Sequence, residues 1–187
     1  RWLILHRRAR AVELLGLRRD RRVLDVGCGT GLNFSYVLNA LDPRTGALTG
    51  LDFSEDMLIR ARRRGEARGW SNVELVQADA SNLSLGRKFD AILFAYSLAM
   101  IPEWRSALEC ARDHLAPGGG LVVLDFGPFR GWGPLAPVMR TWLRLNHVDT
   151  LQPYTDTTRE VFGPTTRVEA ETWCGGYAFL ATAHKQD

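Results

Sequence analysis

Gly27, Gly29 and Gly31 fall within five positions, directly after the strand-like run Val23-Leu24-Asp25-Val26. A strand that opens into glycines and then a helix N-terminus lets a ligand come close to the backbone and meets it with free N–H groups. In such sites an acidic residue closing the next strand grips ribose hydroxyls. Here Asp52 ends the segment Thr49-Gly50-Leu51-Asp52, 25 residues after Gly27, near the spacing this role requires. The loop departs from the dinucleotide pattern GxGxxG, because its third glycine comes one position early, and no Gly-Lys-Ser/Thr follows to hold a triphosphate. Asp25 precedes the glycines, and a carboxylate there repels phosphate and tolerates or attracts a cation. The arrangement suits a nucleoside with free ribose hydroxyls and a positively charged tail, the form of S-adenosylmethionine.

The elements that must position these residues alternate between strand and helix, which argues for an α/β parallel sheet. A first helix is expected over about residues 4–16, ending near Gly16. Strands are expected at Arg22–Val26, Ala47–Asp52, Val73–Gln77, Phe89–Ala95 and Leu121–Phe126. A helix from about Leu32 to Leu41 stops at Asp42-Pro43. Another begins at the cap Ser54, with Glu55 and Asp56 in its first turn, and ends at Gly69. A further helix covers about Glu103 to Leu115. Beyond residue 126 the period changes: Pro134 and Pro137 precede the helical stretch MRTWLRLNH, and Thr157 with Glu160 has the spacing of a capping box. Arg167–Trp173 and Tyr177–His184, separated by Cys174-Gly175-Gly176, read as a closing antiparallel pair of strands.

The bulk numbers fit one domain over residues 1–187. Hydrophobic residues make up 45% and charged residues 24% of the 187-residue chain, ordinary for a globular domain. No run reaches the roughly 18 apolar residues of a membrane span, and no secretory leader is evident. Cys28, Cys110 and Cys174 are far apart and form no CxxC pair, so neither a disulfide framework nor a zinc site is expected, and a reducing cytoplasm fits. No His and carboxylate cluster has metal-ligand spacing. The net charge of +3 is uneven, since residues 1–22 hold eight arginines against Glu13 and Asp20. That edge is a solvated basic helix or a surface for anionic lipid or nucleic acid. The chain opens with Arg1 rather than methionine, which points to processing or a fragment.

Taken in order, DVGCGTG, LDFS, QADA, FDAILFAYSLAMIP and LAPGGGLVVLDF resemble the class I S-adenosylmethionine-dependent methyltransferases over about residues 10–130. The resemblance implies a Rossmann-like, mostly parallel seven-stranded sheet of order 3-2-1-4-5-7-6, strand seven antiparallel, with helices on both faces. It also implies roles. The loop Gly27, Cys28, Gly29 and Gly31 would lie against the methionine end of the cofactor, and Asp25 would help orient that end. Cys28 itself reads as a small filler in the turn. Asp52 would accept the ribose hydroxyls, Phe53 and Met57 would flank the adenine, and Asp79 with the backbone of Ala80 would take its amino group. Tyr96 and Ser97 would face the transferring methyl. S-adenosylhomocysteine would be the product.

The acceptor is less defined. The segment after the fourth strand lacks the [DN]PP[YF] pattern of nucleobase amine methylation, so nucleic acid is not the expected partner. The stretch YSLAMIPEW, with LDFG and GGYAFLA, resembles bacterial phospholipid and betaine-lipid N-methyltransferases, and quinone-biosynthesis C-methyltransferases share much of it. The first resemblance implies a phosphatidylethanolamine-type amine as acceptor and a peripheral position on the inner membrane face, with the N-terminal arginines meeting anionic lipid. The alternatives are a soluble metabolite or quinone precursor as acceptor, and a protein that holds the cofactor without turnover. Residues 127–163, with Trp132, Trp142, His147 and Tyr154, are the expected acceptor-pocket insert. Tyr96 and His147 are the candidate catalytic residues, His147 because its unperturbed pKa lies near neutrality.

Overall fold

Strand-forming and amphipathic runs alternate along the chain, and the computed structural model, which describes residues 2–163 and 168–185, folds them into three layers. The order is α1 (Trp2–Leu14), β1 (Arg22–Val26), α2 (Phe34–Ala40), β2 (Ala47–Asp52), α3 (Glu55–Arg68) and β3 (Val73–Gln77). Then follow β4 (Phe89–Ala95), α4 (Trp104–His114), β5 (Leu115–Phe126), α5 (Leu135–Leu145), α6 (Tyr154–Phe162), β6 (Glu169–Trp173) and β7 (Ala178–His184). The sheet order is β3-β2-β1-β4-β5-β7-β6, with β1 to β5 in parallel and β7 antiparallel to both β5 and β6. This is the expected topology.

Side chains of each strand alternate between the two faces, as the two-residue period of a strand requires. Val23, Leu93, Val122 and Leu180 join the core under α1, α2 and α3. Their neighbours Leu24, Ile92, Leu121 and Phe179 join the core under α4, α5 and α6. The central strands β1, β4 and β5 are therefore apolar on both sides, which is why they read as continuous hydrophobic runs. Ser54 caps α3 by accepting from the Met57 N–H, and Gly69 ends it in the left-handed conformation at φ 65°.

Four boundaries depart from the sequence expectation. The first helix ends at Leu14, ahead of Gly16. The second starts at Phe34 rather than Leu32, because turns occupy residues 30–33. The fifth strand starts at Leu115, which pairs with Phe89 before a register shift, so Ala116-Pro117-Gly118 is an irregular opening of the strand and not a break. Thr157 does not cap a helix: α6 begins one turn earlier, directly after Pro153, which leaves Thr157 buried inside it and Glu160 paired with Arg105. Proline, with its fixed φ, suits that helix start. Arg167, the expected start of the sixth strand, lies outside the described residues.

Candidate functional site

The C-terminal ends of β1, β2 and β3 carry the glycine loop and its acidic partners. Gly27 takes φ 65°, and a Cβ there would fall 2.5 Å from Ser97 Cβ, so close packing against the end of β4 requires glycine. Gly29 takes φ 55° but faces open space, with nothing within 4 Å of where its Cβ would be. The protein itself does not fill that space, and a ligand can lie against the backbone there. Cys28 is buried in the turn. Its thiol is pushed well up by burial and by Asp25 and Asp52, so it stays protonated and is no nucleophile.

Asp52 closes β2 beside this loop. One carboxylate oxygen accepts from the Gly29 N–H at 2.7 Å and the other from the Ser54 N–H at 2.9 Å. A carboxylate oxygen has room for a second donor, so each can still receive a hydroxyl. Next to it Phe53 is 75% exposed and Met57 37% exposed, two large apolar side chains left in solvent at the same tip. The Ala78 N–H donates to the Asp52 carbonyl, which sets the turn after β3 against this tip. In that turn Asp79 accepts from both the N–H and the hydroxyl of Ser81, which hold its carboxyl below the usual range. Ala80 is buried behind it. Asp52, Phe53, Met57, Asp79 and Ala80 thus share one rim.

Asp25, on β1 just before the loop, is fully buried. The Asn33 side-chain amide donates to both of its oxygens, at 2.9 and 3.0 Å, and Arg8 of α1 donates to Oδ1 of the same amide. Burial pushes Asp25 up to about 7, against the pull of Asn33 and Arg8. Its part is to anchor Asn33 and the loop. Asn33 and Arg8 escaped the sequence reading; Asn33 stands where the loop enters α2, a position that could have signalled it, whereas nothing local marks Arg8.

The ends of β4, β5 and β7 form the second part of the site. Tyr96 adopts φ 59°, rare for a residue with a side chain, and its ring lies 4.9 Å from that of Phe126. Phe126 in turn meets Tyr177 at 5.6 Å. The Tyr96 hydroxyl is pushed up to about 12 by burial. At neutral pH it therefore keeps its proton and is a hydrogen-bond donor rather than a base. The Ser97 hydroxyl donates to the Val26 carbonyl at 2.7 Å, tying β4 to the loop. Asp125, which the sequence reading passed over, is buried at the end of β5 and accepts from the Ala99 and Phe126 N–H groups. Burial pushes it up to about 6, and it fixes the turn at Leu98–Met100.

His147 stands apart from the loop. It ends α5 at φ 62°, exposed, and lines a separate pocket of about 270 Å3 with Met100, Trp104 and Asp149. Trp142 is exposed on α5, while Trp132 stacks on Tyr177 at 6.1 Å and Tyr154 packs against Trp104 and Phe179. Of the described N-terminal arginines, Arg10, Arg18, Arg19 and Arg22 are exposed, and the others turn inward or are half-covered. Arg7 is buried and Arg8 half-buried, Arg10 pairs with Glu13 and Glu171, Arg18 with Asp20, and Arg21 and Arg22 with Asp90.

Residues 23–119, spanning β1 to the start of β5, match the profile of a family described as "Methyltransferase domain". The chain belongs to that family. The rim and loop just described fit S-adenosylmethionine, the cofactor expected from the sequence motifs. A curated relative, demethylmenaquinone methyltransferase of Staphylococcus aureus (strain MRSA252), is 34% identical over 119 residues, 63% of this chain and 48% of the relative. The chain thus spans about half the length of the curated relatives it matches.

Two solved structures share the fold of this methyltransferase domain. A SAM-dependent methyltransferase from Aquifex aeolicus has a TM-score of 0.75 at 22% identity, covering 95% of this chain and 89% of that one. The N-methyltransferase NodS from Bradyrhizobium japonicum has a TM-score of 0.72 at 21% identity, covering 97% and 96%. At such identities the likeness speaks for architecture alone, since one fold hosts many reactions. Among the described residues, no helix is long and apolar enough to cross a membrane.

Proposed function

We propose that this domain methylates a quinone precursor or a comparable small aromatic hydroxyl compound, at a ring carbon. The observation that carries the reading is the 34% identity, over 119 residues, to a protein named demethylmenaquinone methyltransferase. The chemistry of the second part of the site supports it. Tyr96, Phe126 and Tyr177 offer flat apolar surface, and Arg7 and Arg8 bring positive charge beside it. An aromatic hydroxyl compound gains from both, whereas an amine acceptor, cationic until it loses a proton, is repelled by the guanidinium groups.

The phosphatidylethanolamine-type reading keeps less support. Its membrane edge was to be the N-terminal arginines; of those described, Arg7 is buried, Arg8 half-buried, and Arg10, Arg18, Arg21 and Arg22 pair with carboxylates, which leaves Arg19 exposed and outside these pairs.

In this proposal Asp52 takes the ribose hydroxyls, Phe53 and Met57 enclose the adenine, and Asp79 with Ala80 reads its amino group. The loop at Gly27–Gly31 meets the methionine end, with Asp25 and Asn33 holding the loop in place. S-adenosylmethionine supplies a methyl group already activated on a sulfonium and leaves as S-adenosylhomocysteine. What remains for the protein is positioning and exclusion of water, so a strong base is not needed at His147. Residues 127–163 supply Trp132 and Phe129, which back the aromatic wall through Tyr177.

The test is product analysis. The protein is incubated with cofactor carrying a labelled methyl group and, separately, with a prenylated 1,4-naphthoquinol and with phosphatidylethanolamine vesicles. Mass spectrometry then locates the label. Label on the naphthoquinol ring carbon is the expected result, and label on the phospholipid amine alone would overturn the reading.

A further inference from the structure

Among the described residues, four wholly buried side-chain nitrogen or oxygen atoms have no hydrogen-bond partner: Arg7 Nη1, Arg8 Nε, Arg87 Nε and the Tyr96 hydroxyl. Three of the four gather at one place. The Arg8 guanidinium carbon lies 5.0 Å from the centre of the Tyr96 ring, and that of Arg7 lies 5.6 Å from the Tyr177 ring and 4.9 Å from the Trp173 ring. Tyr96 and Tyr177 both pack on Phe126. Arg87 is elsewhere, beside Glu74 and Thr49.

A buried polar atom without a partner is costly, and more so when it belongs to a charged group. The groups around the two arginines do not remove that cost. Arg7 Nη2 donates to the Cys174 sulfur at 3.3 Å, a weak acceptor. Arg8 Nη1 donates to the Asn33 side-chain oxygen and, at 3.5 Å, to the Ala95 carbonyl, while Asp25 makes no direct hydrogen bond to it and acts by charge and through the Asn33 amide, so Nε is left over. Glu171, the nearby carboxylate on β6, pairs with Arg10. Asp125 acts on Tyr96 and Arg8 from a distance while its oxygens accept backbone N–H groups. Among the described residues, two guanidinium groups and a phenol thus lie around the same aromatic cluster, each with one buried polar atom left without a partner.

Resting on the aromatic-hydroxyl reading above, we propose that Arg7, Arg8 and Tyr96 form an oxyanion pocket that takes the ionised hydroxyl of the acceptor. Hydrogen bonds from charged donors are strongest to an anionic oxygen, and donors aimed at developing or standing negative charge in a water-excluded place are the most effective kind. An ionised hydroxyl also raises electron density on the ring carbons beside it, the property a carbon acceptor needs. The pocket lies under α1, so the acceptor enters when the turn bearing Arg7 lifts. Ala11, Val12 and Leu15, buried against the sheet, keep the following turns of the helix in place.

The test uses 4-nitrophenol, whose ionised form absorbs visible light, titrated against the protein saturated with S-adenosylhomocysteine. The bound probe is expected to ionise at a pH lower by about one unit, a tenfold preference for the anion. Arg7→Gln and Tyr96→Phe should each abolish most of that shift, and Arg7→Lys, which keeps the charge, should retain part of it. An unshifted probe on the wild-type protein overturns the pocket. So does a loss of S-adenosylhomocysteine affinity in Arg7→Gln equal to the loss for the probe, which would make the cofactor carboxylate the anion received. If Arg7→Gln does not fold, Tyr96→Phe decides alone, since it removes a single oxygen. The two proposals fail separately. A shifted probe with no naphthoquinol methylated leaves the pocket and removes the substrate, and a naphthoquinol methylated equally well by Arg7→Gln does the reverse.

Discussion

The ends of β1, β2 and β3 and the ends of β4, β5 and β7 are built on opposite plans. In the first region the polar groups are satisfied by neighbouring backbone and apolar side chains stand in solvent. Asp52 accepts from Gly29 and Ser54, Asp79 accepts from Ser81, and Phe53 is 75% exposed. In the second, aromatic side chains pack on one another and polar atoms of Arg7, Arg8 and Tyr96 are buried without partners. The first region is preformed: its ligand replaces water on exposed surface, and little has to move. The second is closed: its ligand must part existing contacts and is rewarded by satisfying buried donors. On the proposed reading, firm binding of one cofactor and selective admission of an acceptor follow from that division.

The contrast is broken most directly at Asp52. Asp52→Ala removes the acceptor for two hydroxyls and both backbone contacts that hold the loop. At about 1.5–3 kcal/mol per hydrogen bond to a charged group, losing two should lower S-adenosylhomocysteine affinity by at least about a hundredfold in calorimetry, with the fold retained. An unchanged affinity would remove the ribose role. Gly27→Ala tests the junction between the regions. Its Cβ would meet Ser97 Cβ at 2.5 Å in a backbone conformation with φ 65°, so the loop and the end of β4 must separate. A stability loss of about 1–3 kcal/mol in urea unfolding is expected, with weaker binding in both regions.

Asp25 offers a third measure, through pH. Burial raises its carboxyl from the usual 3.8 to about 7, so the folded protein holds a proton that the unfolded chain has released. The stability this contributes is complete below about pH 4 and is lost as pH rises through about 7, at up to roughly 1.4 kcal/mol per pH unit. Asp125, raised to about 6 by burial, adds the same sign over a narrower window. Asp25→Asn should therefore gain on the wild type steadily between about pH 4 and 7, as read from denaturant midpoints across that range. A difference that stays constant with pH would mean that Asp25 is ionised throughout.

The same contrast explains what could be read in advance. The first region is assembled from residues within a few positions of a strand end, so glycine spacing, the terminal acids at Asp52 and Asp79 and the cap at Ser54 all announced it. The strand alternation likewise announced the sheet. The second region joins residues remote in the chain, Arg7 to Cys174 being 167 positions apart, and no local pattern encodes that meeting. Asn33 and Asp125 lay inside quoted or adjacent motifs but were passed over. Their role depends on burial, which brings Asn33 onto Asp25 and Asp125 onto the Ala99 N–H. The arginine count at the N-terminus was visible, but whether each guanidinium faces water or the site depends on how α1 packs across β4 and β5.

His147 gives the smallest effect and sharpens the boundary of the second region. It ends α5 in the left-handed conformation, at φ 62°, with its N–H donating to the Arg144 carbonyl. A side chain there is strained and glycine is not. His147→Gly should therefore raise stability by about 0.5–1 kcal/mol, measured by thermal or denaturant unfolding. A loss of stability would mean that the imidazole makes a contact outweighing its backbone strain. A hundredfold drop in methyl transfer in the same variant would make the imidazole a proton acceptor and would extend the acceptor site beyond Tyr96 and Arg7 into the pocket at Trp104. The exposed position of His147, next to a turn that Asp125 holds from inside, favours the structural outcome: the helix ends there because the chain must turn back so that the Asp149 N–H can meet the Ala99 carbonyl at 3.0 Å.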